Sequence, residues 1–449
     1  MSNENFDVVV VGGGPAGIIS AVTARKYYPD KKILLIKNTE IGVVPCGIPY
    51  MFKTLFKPED NIMGDAPLQK NNVSIMVDEV VAIDRKVKTI KTKKGQELTY
   101  EKLILATGSN PILPPIKGID QPNVYPIVKE LGYLKQLKER VLKAKNVLII
   151  GGGFIGVEFA DELAGIAGLT VHLVEFLPHL LQNSFDEEFG IMAEEKLKAK
   201  GVNILLNCKV QELKEGKGAT EAYLSNGACL RADMVILGIG AVPNTKLARE
   251  AGLDLGKGKG IWVDEYMRTQ DPDVFAVGDC AGKNDFFTRK DLPVMLASTA
   301  TAEARVAGSN LYQLKVVREN KGTIAIYSTW IDGLVMGSGG LTEAAAKKEG
   351  FEIVVGQAEA PNKHPAAMPG AEKTRLKLIF SKQSGIVMGG QVAGGMSAGE
   401  IINIVGMAIQ KRVSCTELET LQMATHPHLT AAPTMYPLVL AAQDAAGKI

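Results

Sequence analysis

The chain has 449 residues, 46% of them apolar, and a formal net charge of +2. That length exceeds what one core serves, so two or three domains are expected, and the near-neutral balance gives no electrostatic basis for nucleic acid or a membrane surface as partner. No apolar run approaches the roughly 20 residues that span a bilayer, and no basic-then-apolar leader opens the chain, so a cytoplasmic location is the expectation.

In chain order, residues 6–38 read as strand, glycine turn, helix and strand. The apolar run "FDVVVV" suits a strand buried in a parallel sheet. Gly12, Gly14 and Gly17 follow at G-x-G-x-x-G spacing. The first glycine of that pattern makes a tight turn, the second lets backbone approach a pyrophosphate, and the third lets the helix pack closely on the strand. Next comes "VVPCGIPYMF", which holds Cys46 between two prolines and leads into a predicted helix. The stretch "KLILATGSNPILPPIKG" is a strand running into a Thr-Gly-Ser turn and a proline-rich crossing. Residues 145–176 then repeat the opening pattern with Gly151, Gly153 and Gly156. Two such motifs, each between a predicted strand and helix, point to two dinucleotide sites. Another strand, "DPDVFAVGDCA", ends at Gly278-Asp279. From about residue 326 the texture changes to glycine-punctuated antiparallel strands, followed by the helical run "SAGEIINIVGMAIQKRVSCTELETL". The fold class expected is α/β, with two doubly wound dinucleotide-binding domains and a C-terminal α+β domain.

The five cysteines are Cys46, Cys208, Cys229, Cys280 and Cys415. They form no CxxC pair, so neither a zinc site nor a local dithiol is expected, and the last four read as small buried hydrophobes. His172, His179 and His364 are scattered and read as structural, and no metal set is visible.

The motifs GGGPAG, PCGIPY, ATGSNP, GGGFIGVE, LGIGAVPN and VFAVGDC, in that order, resemble the flavin-dependent pyridine nucleotide–disulfide oxidoreductases over essentially the whole chain. Within them the chain is similar to the single-cysteine branch of coenzyme A–disulfide reductases, NAD(P)H persulfide or polysulfide reductases, NADH oxidases and NADH peroxidases. The resemblance implies an FAD domain in two pieces, 1–120 and 245–325, with an NAD(P)H domain at 121–244 between them. A C-terminal domain at 326–449 would build a homodimer. It further implies that Gly12, Gly14, Pro15, Gly17, Asn38, Val80, Thr107, Gly108, Asp279 and Ala297 hold FAD. Gly151, Gly153, Ile155, Gly156 and Gly240 would line the nicotinamide cofactor's site. Phe154 would cover the flavin ring until NADH displaces it, and Glu158 would position the nicotinamide.

Glu175 ends a strand about 20 residues beyond the second glycine turn, where an acid bonds the adenosine ribose diol and repels a 2′-phosphate. NADH is therefore expected, with NADPH as the alternative; the competing reading is a solvated glutamate. The equivalent place after the first turn holds Lys37, where the family has an acid. Lys37 reads as a surface residue, with backbone groups or Asn38 taking the FAD ribose.

Cys46, ahead of a predicted helix N-terminus, is expected as a thiolate beside the flavin; the competing reading is a packed core thiol. Without a neighbouring cysteine it would alternate between thiolate and a sulfenic acid or a mixed disulfide with substrate. The peroxidase and oxidase branches place a histidine where this chain has Pro15, which carries no proton. Reduction of low-molecular-weight disulfides, persulfides or polysulfides, coenzyme A derivatives first among them, is therefore expected. The alternatives are an NADH oxidase, a flavin reductase serving a protein partner, and a redox sensor. Coenzyme A–disulfide reductases carry a tyrosine where "KHPAAMPGA" has Met368. Near the C-terminus, "MATHPHLTAAPTMYP" resembles a partner-derived His-Pro segment, so His426 is the candidate proton donor across the dimer, with His428 and Tyr436 next. Arg25 and Lys26 match the place where coenzyme A–binding relatives keep basic residues for phosphates.

Overall fold

The computed structural model describes residues 4–318 and 322–449. The first sheet grows from β1 (Glu4–Val11), whose valines Val8, Val9 and Val10 are wholly buried because layers cover both sheet faces. Helix α1 (Pro15–Tyr27) starts with proline in its first turn, where the missing N–H costs nothing, and stops short of Pro29. Strand β2 (Ile33–Lys37) pairs parallel to β1, with Val11 opposite Ile36. The full order is Ser74–Val77, β2, β1, Glu97–Leu105, Thr89–Thr92, Val80–Asp84, and the late strand Val274–Ala276 adds parallel to Glu97–Leu105.

Between these pieces lies a second sheet, all parallel, around β3 (Asn146–Ile150). Helix α2 (Phe154–Ala164) follows β3, and β4 (Thr170–Val174) lies beside it. The chain passes out to this unit and back along a two-stranded ribbon, Ser109–Pro111 against Ala241–Pro243. The C-terminal unit is a five-stranded antiparallel sheet opened by β5 (Ile326–Ile331), with α3 (Ala398–Gln410) packed on it. The architecture is α/β, with two doubly wound nucleotide-binding units and a C-terminal α+β unit.

One difference from the sequence reading lies in the cysteine segment. No α-helix follows Cys46; two short 3-10 turns, Pro45–Gly47 and Pro49–Phe52, take its place. Pro45 and Pro49 each remove a backbone donor within one turn's length of the other, so an i→i−4 ladder cannot form.

Candidate active site

Both glycine turns are built alike. Gly12 and Gly151 have φ of 121° and 106°, values that L side chains avoid. A Cβ at Gly17 would run into the Gly12 carbonyl, and one at Gly156 into the Gly151 carbonyl, so each helix lies directly on its turn. Gly14 and Gly153 face open space. Helices α1 and α2 have no side-chain cap and no acid in their first turns, which leaves their N–H groups for an anion. Pro15 and Ile155 lie in those first turns. These cradles fit the pyrophosphates of two dinucleotides.

In the second cradle Glu175 is buried, and its carboxylate accepts from Gly152 N at 2.5 Å and from Leu177 N at 2.7 Å. The solvated-glutamate reading is thereby excluded. Glu175, Gly153, Phe154 and His179 share a small cavity of about 50 Å³. Gly240, on the return path, has φ of 95°.

In the first cradle Lys37 is not the surface residue expected from sequence. It is 5% exposed and ion-paired to Asp65 at 2.7 Å, because its stem packs on Gly13 and its ammonium then needs a partner. Asn38 is exposed and lines a cleft of roughly 510 Å³ with Thr39 and Glu130. Val80 is buried at the start of its strand, and Ala297 opens the helix Ala297–Ser309.

Thr107 Oγ1 donates to the Asn244 carbonyl at 2.7 Å, and Asn244 N donates to the Gly108 carbonyl at 2.9 Å. This ties the strand leaving the first sheet to the strand returning. Ser109 and Lys129 both donate to Asp279 Oδ2, at 2.7 and 3.3 Å. Beneath Asp279, Gly278 N donates to Glu303 at 2.8 Å while its carbonyl accepts from Lys283 at 2.6 Å. Lys283 and Glu303 are themselves buried and lie 3.6 Å apart. They clamp both sides of the turn that presents Asp279. Cys280 is buried and donates to the Leu105 and Val277 carbonyls.

Cys46 is exposed, which removes the core-thiol reading. Its turn is fixed from behind: Asn61 donates to the Val44 carbonyl at 3.0 Å, and a Cβ at Gly47 would run into Asn61 Oδ1. Met51 and Phe52 then bury the segment against α2, with Phe52 meeting Phe159 edge-on at 5.0 Å. Thr54 N and Oγ1 donate to Glu162 at 2.8 and 2.6 Å. The thiol's pKa is raised, not lowered as the sequence reading had it. Desolvation by the surrounding walls comes first and the Glu158 charge second, while Lys129 pulls the other way. With no α-helix after Cys46, the expected dipole is missing.

Helix α2 carries the two residues assigned to the nicotinamide, and β5 holds both. Phe154 stacks on Tyr327 at 4.9 Å, with Phe185 beside it at 6.2 Å. Glu158 Oε1 accepts from Thr329 Oγ1 at 2.9 Å. Burial pushes Glu158 up from 4.5 to about 7. Sequence reasoning missed Tyr327, Thr329, Lys129, Lys283 and Glu303. For the first two a signal existed, since period-2 alternation in "IYSTWI" puts Tyr327 and Thr329 on one face.

The C-terminal motifs meet each other. His364 N donates to the Pro427 carbonyl at 3.1 Å, and its Nδ1 bonds the Thr430 carbonyl at 2.9 Å, joining "KHPAAMPGA" to "THPHLT". His426 is exposed, and its Nδ1 accepts from His428 N at 3.2 Å, so the neutral ring carries its proton on Nε2. The ring of Tyr436, the other runner-up donor, packs into the C-terminal core. Arg25 gives four of its five guanidinium N–H groups to the carbonyls of Pro29, Lys31, Asn71 and Asn72, which leaves one for a phosphate. Cys229 is exposed, not buried, whereas Cys208 and Cys415 are buried.

Residues 6–304 match the family model described as pyridine nucleotide-disulphide oxidoreductase, and residues 328–436 match that family's dimerisation domain. The chain belongs to the pyridine nucleotide-disulphide oxidoreductase family. Its relatives include a Methanocaldococcus jannaschii protein named NADH oxidase, 33% identical across 98% of this chain and 99% of that one. A Pyrococcus horikoshii protein named NAD(P)H coenzyme A polysulfide/persulfide reductase is 31% identical across 87% and 88%. The solved NAD-dependent persulfide reductase from A. fulgidus superposes with a TM-score of 0.91 at 29% identity, across 99% of this chain and 83% of that one. As a member of this family the protein is an oxidoreductase whose cofactors are FAD and NADH. Among the described residues no helix is long and apolar enough to cross a membrane, and no three His, Cys, Asp or Glu side chains gather as metal ligands.

Proposed function

We propose that this oxidoreductase uses NADH to reduce low-molecular-weight disulfides, persulfides or polysulfides, coenzyme A derivatives foremost, through Cys46. The observation that carries the reading is the Cys46 thiol itself. It is exposed on a braced turn, and the charges that act on it are Glu158, Lys129 and Asp279, the groups at the nicotinamide and flavin ends. All five cysteines are free, so the thiol works without a partner sulfur in the chain.

In this reading Gly12, Gly14 and Gly17 hold FAD together with Thr107, Gly108 and Asp279, and Gly151, Gly153, Gly156 and Glu175 hold NADH. Glu175 favours NADH over NADPH by its charge. The domain limits proposed from sequence stand with it, as does a homodimer through residues 326–449 in the cytoplasm. Bound FAD supplies two-electron redox chemistry between nicotinamide and sulfur. Phe154 yields its place to the nicotinamide and Glu158 positions it. The thiolate form of Cys46, a minor fraction because desolvation and Glu158 raise its pKa, attacks one sulfur of R–S–S–R′, forming a mixed disulfide and expelling the other as a thiolate. Two electrons from NADH then break the mixed disulfide and restore the Cys46 thiolate. The balance is RSSR′ + NADH + H⁺ → RSH + R′SH + NAD⁺, or RSH and H₂S from a persulfide. The partner subunit's His426, in its imidazolium form, supplies the proton to the leaving thiolate and is left as the neutral ring. Pro15 supports this choice over peroxide chemistry, because it brings no proton to the thiol.

Mass spectrometry of the intact protein as purified, before and after thiol reduction, tests the reading. A reversible adduct of coenzyme A mass on Cys46 supports it. Oxygen consumption faster than any disulfide or persulfide turnover, and unchanged in Cys46→Ser, overturns it in favour of an NADH oxidase.

A further inference from the structure

The two glycine cradles allow an internal comparison. Gly151 N donates to the Val174 carbonyl at 2.9 Å, and Gly12 N donates to the Ile36 carbonyl at 2.8 Å. The residues that follow, Glu175 and Lys37, therefore hold equivalent places at the ends of β4 and β2. The second cradle has a carboxylate there. The first has an ammonium, buried to 5% exposure, so the reader of the adenosine ribose must be built differently.

Lys37 Nζ bonds both oxygens of Asp65, at 2.7 and 2.8 Å, and the Glu40 carbonyl at 2.8 Å. An ammonium has three protons, and the two carboxylate oxygens and the carbonyl take all three. Asp65 stands just ahead of the short helix Ala66–Lys70 but does not cap it with its side chain. Its side chain is about a quarter exposed and bonds only Lys37 among the described residues, so the free capacity of the pair lies in the carboxylate's remaining acceptor sites. The stem of Lys37 fills the space behind the turn, where a Cβ at Gly13 would come within 2.7 Å of Lys37 Cβ.

We infer that the Lys37–Asp65 pair is the ribose reader of the first cradle. Asp65 accepts from the hydroxyls of the adenosine diol, while Lys37, its three protons already engaged, fixes the carboxylate's position. The acid absent from the strand end is thus supplied from residue 65 and held in place by the lysine. The pairing also decides what is refused. An unpaired lysine here would draw a 2′-phosphate, but Asp65 cancels its charge, so the cradle selects an unphosphorylated ribose. The inference rests on FAD being the occupant of the first cradle.

The full chain, stripped of flavin, is titrated with FAD, with FAD made from 2′-deoxyadenosine, and with the 2′-phosphorylated analogue, following flavin fluorescence. The expected result is that wild type binds the deoxy analogue about 10- to 100-fold more weakly than FAD, the loss of a charge-assisted hydrogen bond. In Asp65→Asn that discrimination shrinks to within about threefold and the 2′-phosphate analogue gains affinity, since Lys37 is left uncancelled. Equal wild-type affinity for FAD and the deoxy analogue overturns the inference, with or without a folded variant. Unchanged discrimination in a folded Asp65→Asn overturns it too. A wild-type chain that takes up no FAD at all overturns the cofactor assignment beneath it, which is a separate result.

Discussion

Replacing Thr329 by valine keeps the side chain's shape and deletes one hydroxyl, so it tests the Glu158 site with little change in packing. Glu158 lies up near 7 because burial disfavours its charge and Asp161 adds repulsion; the Thr329 hydroxyl is what pulls it back down. The rise from 4.5 to about 7 corresponds to about 3 kcal/mol against the charged form. A hydrogen bond to a carboxylate contributes about 1.5–3 kcal/mol, so its loss in Thr329→Val should raise the Glu158 pKa by about 1 or more. The assay is stopped-flow bleaching of the holoenzyme flavin by NADH across pH 5.5–9. An ionised Glu158 favours the positive charge that develops on a nicotinamide as hydride leaves, so the wild-type rate should climb with pH through about 7. In Thr329→Val the climb should move upward by about 1 pH unit, and in Glu158→Gln it should vanish. Stability carries the same signature. The folded pKa is above the ordinary 4.5, so the protonated carboxyl's contribution is complete below about 4.5 and is lost as pH rises through about 7. Glu158→Gln should therefore gain on wild type in thermal melts across that window. A Thr329→Val profile that superposes on wild type, or a Glu158→Gln enzyme that keeps the midpoint, would refute the reasoning.

Cys46→Ser should retain FAD and its bleaching by NADH while losing disulfide turnover by at least about 100-fold, checked by spectrophotometry with and without coenzyme A disulfide. Gly47→Ala should lower thermal stability by about 1–3 kcal/mol, because its new methyl meets Asn61. Lys283→Met takes away the ammonium 3.6 Å from buried Glu303, so a loss of about 3–5 kcal/mol and weaker FAD retention should appear in melts and in flavin release on dilution. Tyr327→Leu removes the ring beneath Phe154, and NADH KM should change by about 2- to 10-fold with little effect on FAD content.

The parts of this site that are legible in sequence are those where backbone geometry admits one residue. Gly12, Gly17, Gly151 and Gly156 are fixed by left-handed φ values or by carbonyls where a Cβ would sit, so their spacing can be read directly. Glu175 is legible for a related reason, since it closes a strand whose carbonyl anchors the turn. What stays hidden are partners that meet only through tertiary folding. Nothing local to Lys37 announces Asp65, 28 residues on, and without that partner a lysine at a strand end reads as solvated. Arg25 looks free on a helix end until the loop at Asn71–Asn72 closes over it. The thiol of Cys46 shows the same limit. Its own neighbours suggested a helix N-terminus, but its environment is set by desolvation and by Glu158, more than a hundred residues away.

That the C-terminal unit reaches Phe154 and Glu158 follows from matching periods. Residues two apart on a strand lie about 6.6 Å apart on one face, and residues four apart on a helix lie about 6 Å apart. Tyr327 and Thr329 on β5 can therefore meet Phe154 and Glu158 on α2 at once, and both contacts form. Ile331, the next residue on that face, is buried in the same core as Val157 and Phe159. One strand of the C-terminal sheet thus fixes the aromatic ring and the carboxylate proposed to govern NADH, while the turn bearing Cys46 rests on the same helix from its other neighbour, Phe52. Helix α2 is the element on which the Cys46 turn, Phe154, Glu158 and the C-terminal unit converge. A change that tilts it should disturb hydride transfer and thiol chemistry together, whereas a change confined to the first cradle should alter flavin retention alone.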